Sequence, residues 1–521
     1  MTTSELENQA TELSRQLSSS EVESLASELF DDALVPTHTS SWPPQSDAHR
    51  LDEEEEDREN EREAQNSGTS ATETENSGLS EKPEQSSNMP HAGGPPAKHG
   101  LFSPKLREKR LAVVKKIGIS ILLMGTLMLT LFSIYWGSFY KRLSYLDRVH
   151  LWIVNNDDGD LVGSSFTTIA HSFATAKKTV NVETVDSLTY DEIIKLVQDE
   201  HTWGVFYIPA NSTSALETAL ASPSASEAAA YSGADSVRFM YSQARDQLAM
   251  GYIVTWVNEL ERNYTAEFAM QVLSLTTSSS SSKYDLSTIV SDAPHLITRP
   301  SSIELENLFP FDNPTATATT QVGLIFIVIT SFFQFNFFAP IHALISPELK
   351  RSHLIFYRYL SSWVAYFFLS LFYSLVSLAF QMDFTRTFGR AGFVIFWMTN
   401  YLGMLSVGIF LENLALICIS TFPPILGFGL ICTVISNISP AFYSIPLQHR
   451  FYRYGYALPI KNLADATRTI MFDTHNTMGR NYGVLVAWIA IDMIMLPFSL
   501  NFFGKTMMKR KMAEMKAQAK K

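Results

Sequence analysis

A stretch of about 20 apolar residues without a single charge, IGISILLMGTLMLTLFSIYW, begins at Ile117. This is the length of helix that crosses the hydrocarbon core of a bilayer. It begins too far into the chain to be a cleaved signal peptide. Five further apolar segments follow, at roughly 321–345, 354–380, 392–413, 415–437 and 482–503. The sequence therefore predicts an α-helical integral membrane protein with six transmembrane helices.

Two adjacent prolines lie in the fifth apolar segment. Pro423 and Pro424 are either the turn that connects the fourth and fifth helices or a kink within the fifth, because proline interrupts the helical hydrogen-bond ladder. The sequence leaves both interpretations open.

Basic residues flank the first and last apolar segments, at 105–116 and 506–521. Since cytosolic flanks carry an excess of Lys and Arg, the N-terminus is predicted to be cytosolic, and six spans return the C-terminus to the same side. The loop at 438–481 conflicts with this rule, because it is predicted to lie outside yet contains five basic residues. We expect the two basic flanks to contact anionic lipid headgroups.

The N-terminal region differs sharply in charge from the rest of the chain. Residues 1–100 contain 22 acidic and 6 basic side chains, which is a net charge of −16. Because the whole chain carries −12, the remaining residues carry a net charge of +4. We interpret residues 1–104 as a disordered acidic cytosolic tail, because it has too little apolar surface to bury. A capping-box pattern starting at Ser20 predicts either a transient helix or a partner-docking helix within this tail.

Residues 138–318 are numerous enough for a folded domain between the first two spans. RVHLWIVNNDDG and WGVFYIP read as strands, SLTYDEIIKLVQDE reads as a helix, and 236–274 reads as one long helix. The pattern predicts an exofacial α/β domain. Asn211 and Asn263 begin glycosylation sequons within it, which agrees with an external location.

The predicted organisation has five parts. They are a disordered acidic tail (1–104), a basic juxtamembrane segment with the first transmembrane helix (105–137), the exofacial α/β domain (138–318), transmembrane helices two to six with an exofacial amphipathic segment at 440–480 (319–505), and a basic cytosolic tail (506–521).

Motifs of catalytic chemistry are not found. The sequence has no zinc-protease, paired-cysteine or nucleophile-elbow motif, and the GKT at Gly504–Thr506 lacks the glycine of a phosphate loop, because that position is Ser499. We therefore expect neither an enzyme nor a cofactor or metal site. Because no phosphate loop is found, any ATP-driven step would need a separate ATPase subunit. A net negative membrane protein also offers no support for a nucleic-acid role.

Three polar residues lie within the apolar segments. Asp492 is near the middle of the last one, where a carboxylate is costly and should face the bundle interior or water; it is either an interhelix hydrogen-bond partner or a substrate or proton site. Glu412 is interpreted as a solvated helix end near the cytosolic boundary, with a transport role as the alternative. Asn400 is interpreted as packing between helices.

The segment YALPIKNLADATRTIMF, at 456–472, predicts an amphipathic helix just before the last span. Pro459 suits the first helical position, where its missing N–H costs nothing. Lys461, Asp465 and Arg468 fall on one stripe at spacings that permit ion pairs. We expect this helix to lie at the membrane interface, with its apolar face in lipid and its charged stripe in water.

The order of these parts resembles the fungal nitrosoguanidine-resistance membrane protein family, which is similar to phage-infection-protein and type-2 ABC exporter permeases. The resemblance covers roughly 110–506 and is carried by VHLWIVNNDDG, GVFYIPANSTSAL, SPELKRSHLIFYRYLSSW and the 456–472 segment. Pro459, Asn462 and Arg468 match the re-entrant segment of such permeases, with Asp465 between them. The resemblance implies a type-2 permease-like arrangement, a plasma-membrane location, protection against toxic compounds and pairing as a homodimer.

Two classes of function follow. The first is an export-like permease for amphipathic small molecules or lipids, driven by a partner ATPase or by the proton gradient through Asp492. The second is a non-transporting membrane scaffold or stress-signalling regulator, whose Ser- and Glu-rich tail suits phosphorylation and the docking of a signalling partner.

Overall fold

The structure is a computed structural model that describes residues 101–223, 226–278 and 284–518. The predicted disordered tail, with its helix at Ser20, lies outside the described residues. The helices and strands, in chain order, are α1 Arg107–Gly137, β1 His150–Asn155, α2 Val162–Lys177, β2 Asn181–Val185, α3 Tyr190–Gln198, β3 Gly204–Ile208, α4 Ser212–Ala221, α5 Ser226–Ala230, β4 Val237–Tyr241, α6 Gln247–Thr277, α7 Leu286–Asp292, α8 His295–Thr298, β5 Ile303–Asn307, α9 Gly323–Ile345, α10 Arg351–Ala379, α11 Thr385–Phe388, α12 Gly392–Thr421, α13 Leu426–Ile438, α14 Pro459–Phe472 and α15 Met478–Gln518.

Apolar helices long enough to cross a membrane occur where the hydropathy pattern placed them, with one exception. Five are found among the described residues: Arg107–Gly137, Ala318–Ile345, Arg351–Ala379, Thr385–Thr421 and Met478–Ala517. The most buried of the five contains α12, which lies at the centre of the bundle. Apolar surface on the outer helices remains exposed, as a lipid-facing surface requires.

The predicted span at 415–437 is not a single helix. Helix α12 continues to Thr421, so the boundary predicted at 413 is wrong, and the chain breaks at Phe422, whose backbone is extended (φ −149°, ψ 94°). Pro423 follows and disfavours helical geometry in the residue before it, so the two prolines are the connecting turn rather than a kink. Helix α13 then has only 13 residues, or about 20 Å, which is shorter than the bilayer core.

The α/β prediction for the block between the first two spans is confirmed by a mixed five-stranded sheet in the order β2-β1-β3-β4-β5. Strand β1 pairs in parallel with β2 and β3, β3 pairs antiparallel with β4, and β4 pairs in parallel with β5. Helices α2 and α6 cover one face of the sheet, where Phe166, Phe206 and Tyr264 form a buried aromatic cluster.

The prediction of one helix over 236–274 is wrong at its beginning. Residues Val237–Tyr241 form β4 in the middle of the sheet, and α6 starts only at Gln247. The Asp246 side chain caps α6 by accepting hydrogen bonds from the N–H groups of Leu248 and Ala249, at 3.1 and 3.0 Å. The β-branched and aromatic residues of VRFMY pair with two neighbouring strands, which outweighs a local helical preference.

Candidate functional site

Helix α14 has the bounds that its sequence indicates. It begins at Pro459 and ends before Asp473, whose left-handed backbone (φ 57°) terminates it. The Asn462 side chain donates hydrogen bonds to the carbonyl groups of Tyr456 and Leu458, at 3.0 and 2.8 Å, and so fixes the chain that enters the helix.

The location predicted for α14 is wrong, because the helix does not present an apolar face to lipid. Thirteen of its 14 residues are buried inside the protein. Ile460, Leu463 and Ala464 pack in one apolar cluster with residues of α9 and α12, and Ile470 packs in a second. An amphipathic pattern is satisfied equally by lipid and by protein, so the pattern alone does not distinguish them.

The charged stripe of α14 forms the ion pairs expected from its spacing. Lys461 Nζ donates to Asp465 Oδ1 at 2.5 Å, and Arg468 Nη1 lies 3.5 Å from the same oxygen. From α15, Arg480 Nη2 lies 3.9 Å from the other oxygen, Oδ2. Lys461 and Arg468 are only 7% and 8% exposed, so this stripe lies inside the protein rather than in bulk water.

A polar cavity of about 160 Å³ lies beside this stripe, and the α/β domain closes its other side. We call it the charged cavity. Its lining consists of Glu200, Arg245, Ser444, Ile445, Pro446, Tyr456, Lys461, Asp465, Arg468, Thr474, His475, Thr477 and Arg480. Four of these side chains are Lys or Arg and two are carboxylates, so the formal charge is +2 with His475 neutral.

Arg245 lies in the α/β domain and lines the charged cavity, and it was not identified from the sequence. Its Nη1 donates to the carbonyl of Thr202 at 2.7 Å, and its guanidinium lies 3.8 Å from the centre of the Trp203 ring. Its Nε is 3.5 Å from Glu200 Oε2. Burial lowers the pKa of Arg245, and the neighbouring Glu200 carboxylate opposes that shift. The side chain is thus held rigidly against the cavity.

An apolar pocket of about 240 Å³ lies on the bundle side of the same chain segment. We call it the apolar pocket. Its lining consists of Ser406, Val407, Phe410, Leu414, Gly429, Cys432, Thr433, Ser436, Asn437, Leu458, Pro459 and Trp488. The indole N–H of Trp488 donates to the carbonyl of Ala457 at 2.7 Å, which ties α15 to the start of α14. Tyr456 and Lys461 line the charged cavity while Leu458 and Pro459 line the apolar pocket, so one short segment borders both.

Asp492 faces the interior of the bundle, as predicted, and is 3% exposed. Asn413 Nδ2 on α12 donates to the backbone carbonyl of Asp492 at 2.9 Å. Among the described residues, Asp492 Oδ2 and Asn413 Oδ1 have no hydrogen-bond partner. Both oxygens are buried acceptors without a donor, which is an unfavourable arrangement in a helix bundle.

The interpretation of Glu412 as a solvated helix end is wrong. Its side chain is 2% exposed and accepts from Arg358 Nε on α10 at 2.7 Å and from Ser362 Oγ at 3.1 Å. The interpretation of Asn400 as packing is confirmed, because its Nδ2 donates to Ser374 Oγ on α10 at 3.0 Å. Arg358 lies within an otherwise apolar helix, α10, and this position is the sequence signal that could have indicated a buried carboxylate partner such as Glu412.

Comparison with known proteins gives a family. Residues 120–494, which are well over half of the chain, match the model of a family described as "Protein of unknown function (DUF3533)". The chain belongs to the DUF3533 family. A relative in Saccharomyces cerevisiae, described as an uncharacterised endoplasmic reticulum membrane protein, is 30% identical over 430 residues, covering 78% of this chain and 83% of the relative. No solved structure matches the chain significantly.

The DUF3533 match includes the bundle, the α/β domain and the α14 segment, but it assigns no residue a role. The predicted sequon asparagines, Asn211 and Asn263, are exposed on the α/β domain, and their glycosylation stays a prediction. Within the residues that the structure describes, no three His, Cys, Asp or Glu side chains are grouped as metal ligands.

Proposed function

We propose that this protein is an export-like permease for amphipathic molecules, either toxic small compounds or lipids. The observation that carries the proposal is that the apolar pocket and the charged cavity border the same segment, Tyr456–Lys461. Apolar clefts with a few placed polar groups are the usual form of a small-molecule site. A molecule with an apolar part and a polar group finds a matching environment for each on the two sides of this segment.

Six membrane crossings remain part of the proposal. An odd number would place the two basic flanks, at 105–116 and 506–521, on opposite sides of the membrane. In this proposal helix α13 supplies the remaining crossing together with residues 439–443, which are buried in the protein. Non-helical backbone is tolerated at membrane depth only when it is covered in this way. This arrangement places the α/β domain outside and both termini in the cytosol.

Asp492 is the group we propose for coupling to a proton gradient. Its Oδ2 is buried without a hydrogen-bond donor, and a proton on this carboxyl group would remove the cost of burying an unpaired charge. The alternative energy source is a separate ATPase subunit. In that case Asp492 serves only to join α12 and α15 through its backbone carbonyl.

Resistance to toxic compounds and the plasma membrane as location complete the proposal, and both rest on the resemblance to the nitrosoguanidine-resistance family. The relative in yeast is described as an endoplasmic reticulum membrane protein, which makes that membrane the alternative location. Imaging of the full chain with a C-terminal fluorescent tag separates the two locations, because a peripheral ring and a perinuclear ring are readily distinguished.

The test of export is the retention of a fluorescent amphipathic compound in cells that lack the protein. Rescue with the wild type is expected to lower retention. If Asp492→Asn and a proton ionophore both abolish this effect at normal protein level, export is proton-coupled; if neither does, a partner ATPase supplies the energy. If resistance to the toxic compound returns while retention never changes, the protein acts as a scaffold or stress-signalling regulator and the permease proposal fails.

A further inference from the structure

We propose that the charged cavity is a binding site for a phosphate group, carried either by a lipid headgroup or by free phosphate. The inference goes beyond the proposed function, because binding at this site requires no transport. It rests on the number of buried cations, on their unsatisfied donors and on the way they are held in place.

The cations of the cavity outnumber the carboxylates that are available to neutralise them. Lys461, Arg468 and Arg480 all contact one carboxylate, that of Asp465. Arg245 faces Glu200 at 3.5 Å. Three of the four cationic side chains are no more than 10% exposed, whereas Arg480 is 51% exposed, so water compensates only part of the remaining charge of +2. An anion of one or two charges inside the cavity would balance it.

The two arginines Arg245 and Arg468, which line the cavity, also have hydrogen-bond donors without partners. Among the described residues, the Arg468 guanidinium makes its one hydrogen bond to Asp465 at 3.5 Å, a long contact for a group with five N–H donors. The Nε of Arg245 is buried and has no hydrogen-bond partner in that part of the chain. Guanidinium groups present paired donors that match the oxygens of a phosphate, so Arg468 is suited to bind one. The buried Nε of Arg245 is not presented to the cavity, and Arg245 contributes its positive charge.

Both arginines are held in position before any ligand arrives. Trp203 and the Thr202 carbonyl fix Arg245, while Arg468 belongs to a helix that is buried along its whole length. Preorganised groups lose little conformational entropy on binding. The volume of about 160 Å³ is several times the roughly 30 Å³ that a water molecule occupies in the liquid, which leaves room for a tetrahedral oxyanion.

This site also accounts for the conflict between the loop at 438–481 and the positive-inside rule. Three of its five basic residues, Lys461, Arg468 and Arg480, line the charged cavity. The other two, Arg450 and Arg453, line an adjoining cavity of about 540 Å³ that shares Ile445, Pro446 and Tyr456 with the first. The basic residues of the loop are therefore gathered at one site instead of marking a cytosolic side.

The experiment measures the thermal unfolding of the purified full-length protein in detergent with two probes, inorganic phosphate and dihexanoyl phosphatidic acid. Either probe is expected to raise Tm in a saturable manner. Stabilisation by both probes identifies the phosphate group as the determinant, and stabilisation by phosphatidic acid alone identifies a lipid as the source. No stabilisation by either probe overturns the proposal.

Variants distinguish this site from adventitious binding. Arg468→Gln is expected to weaken binding at least about tenfold, as expected for the loss of a charged hydrogen bond. Arg480→Gln, at a half-exposed position that tolerates change, is expected to weaken it less, and Asp465→Asn is expected to tighten it because it raises the net charge. Arg262→Gln, an equal charge change at an exposed position on α6, should leave the affinity unchanged. Equal weakening by Arg262→Gln and Arg468→Gln would contradict the site. Because no gradient or transport is needed, this result is independent of the retention assay.

Discussion

Arg358 on α10 and Glu412 on α12 form a buried ion pair inside the helix bundle, with Nε and Oε1 2.7 Å apart. Both side chains are less than 10% exposed, and Ser362 donates a further hydrogen bond to the carboxylate. Removing one member of a buried pair leaves an uncompensated charge, whereas replacing both can be nearly neutral. We therefore expect Glu412→Ala to destabilise the protein by about 3–5 kcal/mol, and Arg358→Met with Glu412→Leu to recover most of that loss.

The exposed pair Lys177–Glu259, also 2.7 Å apart, provides the control for this prediction. Glu259→Ala should cost far less than Glu412→Ala, because water screens an exposed pair. Chemical unfolding of the purified variants gives both values. A Glu412→Ala cost no greater than that of Glu259→Ala would show that the buried pair does not stabilise the bundle.

The contact between α10 and α12 depends on Gly408. A Cβ added there would come within 2.2 Å of the Tyr366 hydroxyl. Tyr366 is fully buried, and its hydroxyl donates a hydrogen bond to Gln334 Oε1 at 2.9 Å, so it has little freedom to move away. Gly408→Ala is expected to cost about 1–3 kcal/mol through overpacking. Gly427→Ala on α13, where a Cβ meets nothing within 4 Å, should instead stabilise its helix by about 0.5–1 kcal/mol. Equal shifts in Tm for the two variants would contradict the packing described here.

Asp473, at the end of α14, should make the stability fall as the pH rises. Burial raises its pKa from the usual 3.8, while hydrogen bonds with Thr387 and Gln198 oppose the shift. A carboxyl group with a raised folded-state pKa binds its proton more tightly when folded, so stability is full below the usual pKa and declines until the pH passes the folded pKa. Asp473→Asn is expected to raise Tm at pH 7 and to reduce the difference between pH 4 and pH 7.

Glu259→Gln is the matched control, because the pKa of Glu259 is shifted in the opposite direction to that of Asp473. Lys177 lowers the pKa of Glu259, so that this group contributes stability above its usual pKa of 4.5, and the contribution disappears as the pH falls through the lowered value. The variant should therefore lower Tm at pH 7 and have no effect well below pH 4. A decrease in Tm at pH 7 for both variants would mean that burial does not raise the pKa of Asp473.

Local sequence patterns predicted much of the fold. Runs of apolar residues located most of the membrane helices, the segments RVHLWIVNNDDG and WGVFYIP located β1 and β3, and Pro459 located the start of α14. The i, i+4 spacing of Lys461 and Asp465 predicted their ion pair correctly. Each of these features depends on residues that are close together in the chain, which is why a single sequence suffices for them.

The predictions that were wrong depend on contacts between residues that are distant in the sequence. Glu412 is paired with a residue 54 positions away, and no local pattern states which helices are neighbours. Strand β4 was assigned to a helix because its pairing with β3 and β5 outweighs local preference. The burial of α14 and the contribution of Arg245 to the charged cavity depend on how the α/β domain sits over the bundle, which the sequence pattern does not encode.

The proposed export of amphipathic molecules requires the apolar pocket, so a side chain that fills this pocket should stop export. Cys432 lines it from α13, and its neighbour Ile431 is exposed on α13 and does not line it. In cells lacking the protein, retention of the fluorescent compound is measured after rescue with Cys432→Phe or Ile431→Phe at equal protein levels. We expect low retention with Ile431→Phe, and with Cys432→Phe the same high retention as in unrescued cells. Equally low retention with both variants would contradict this expectation.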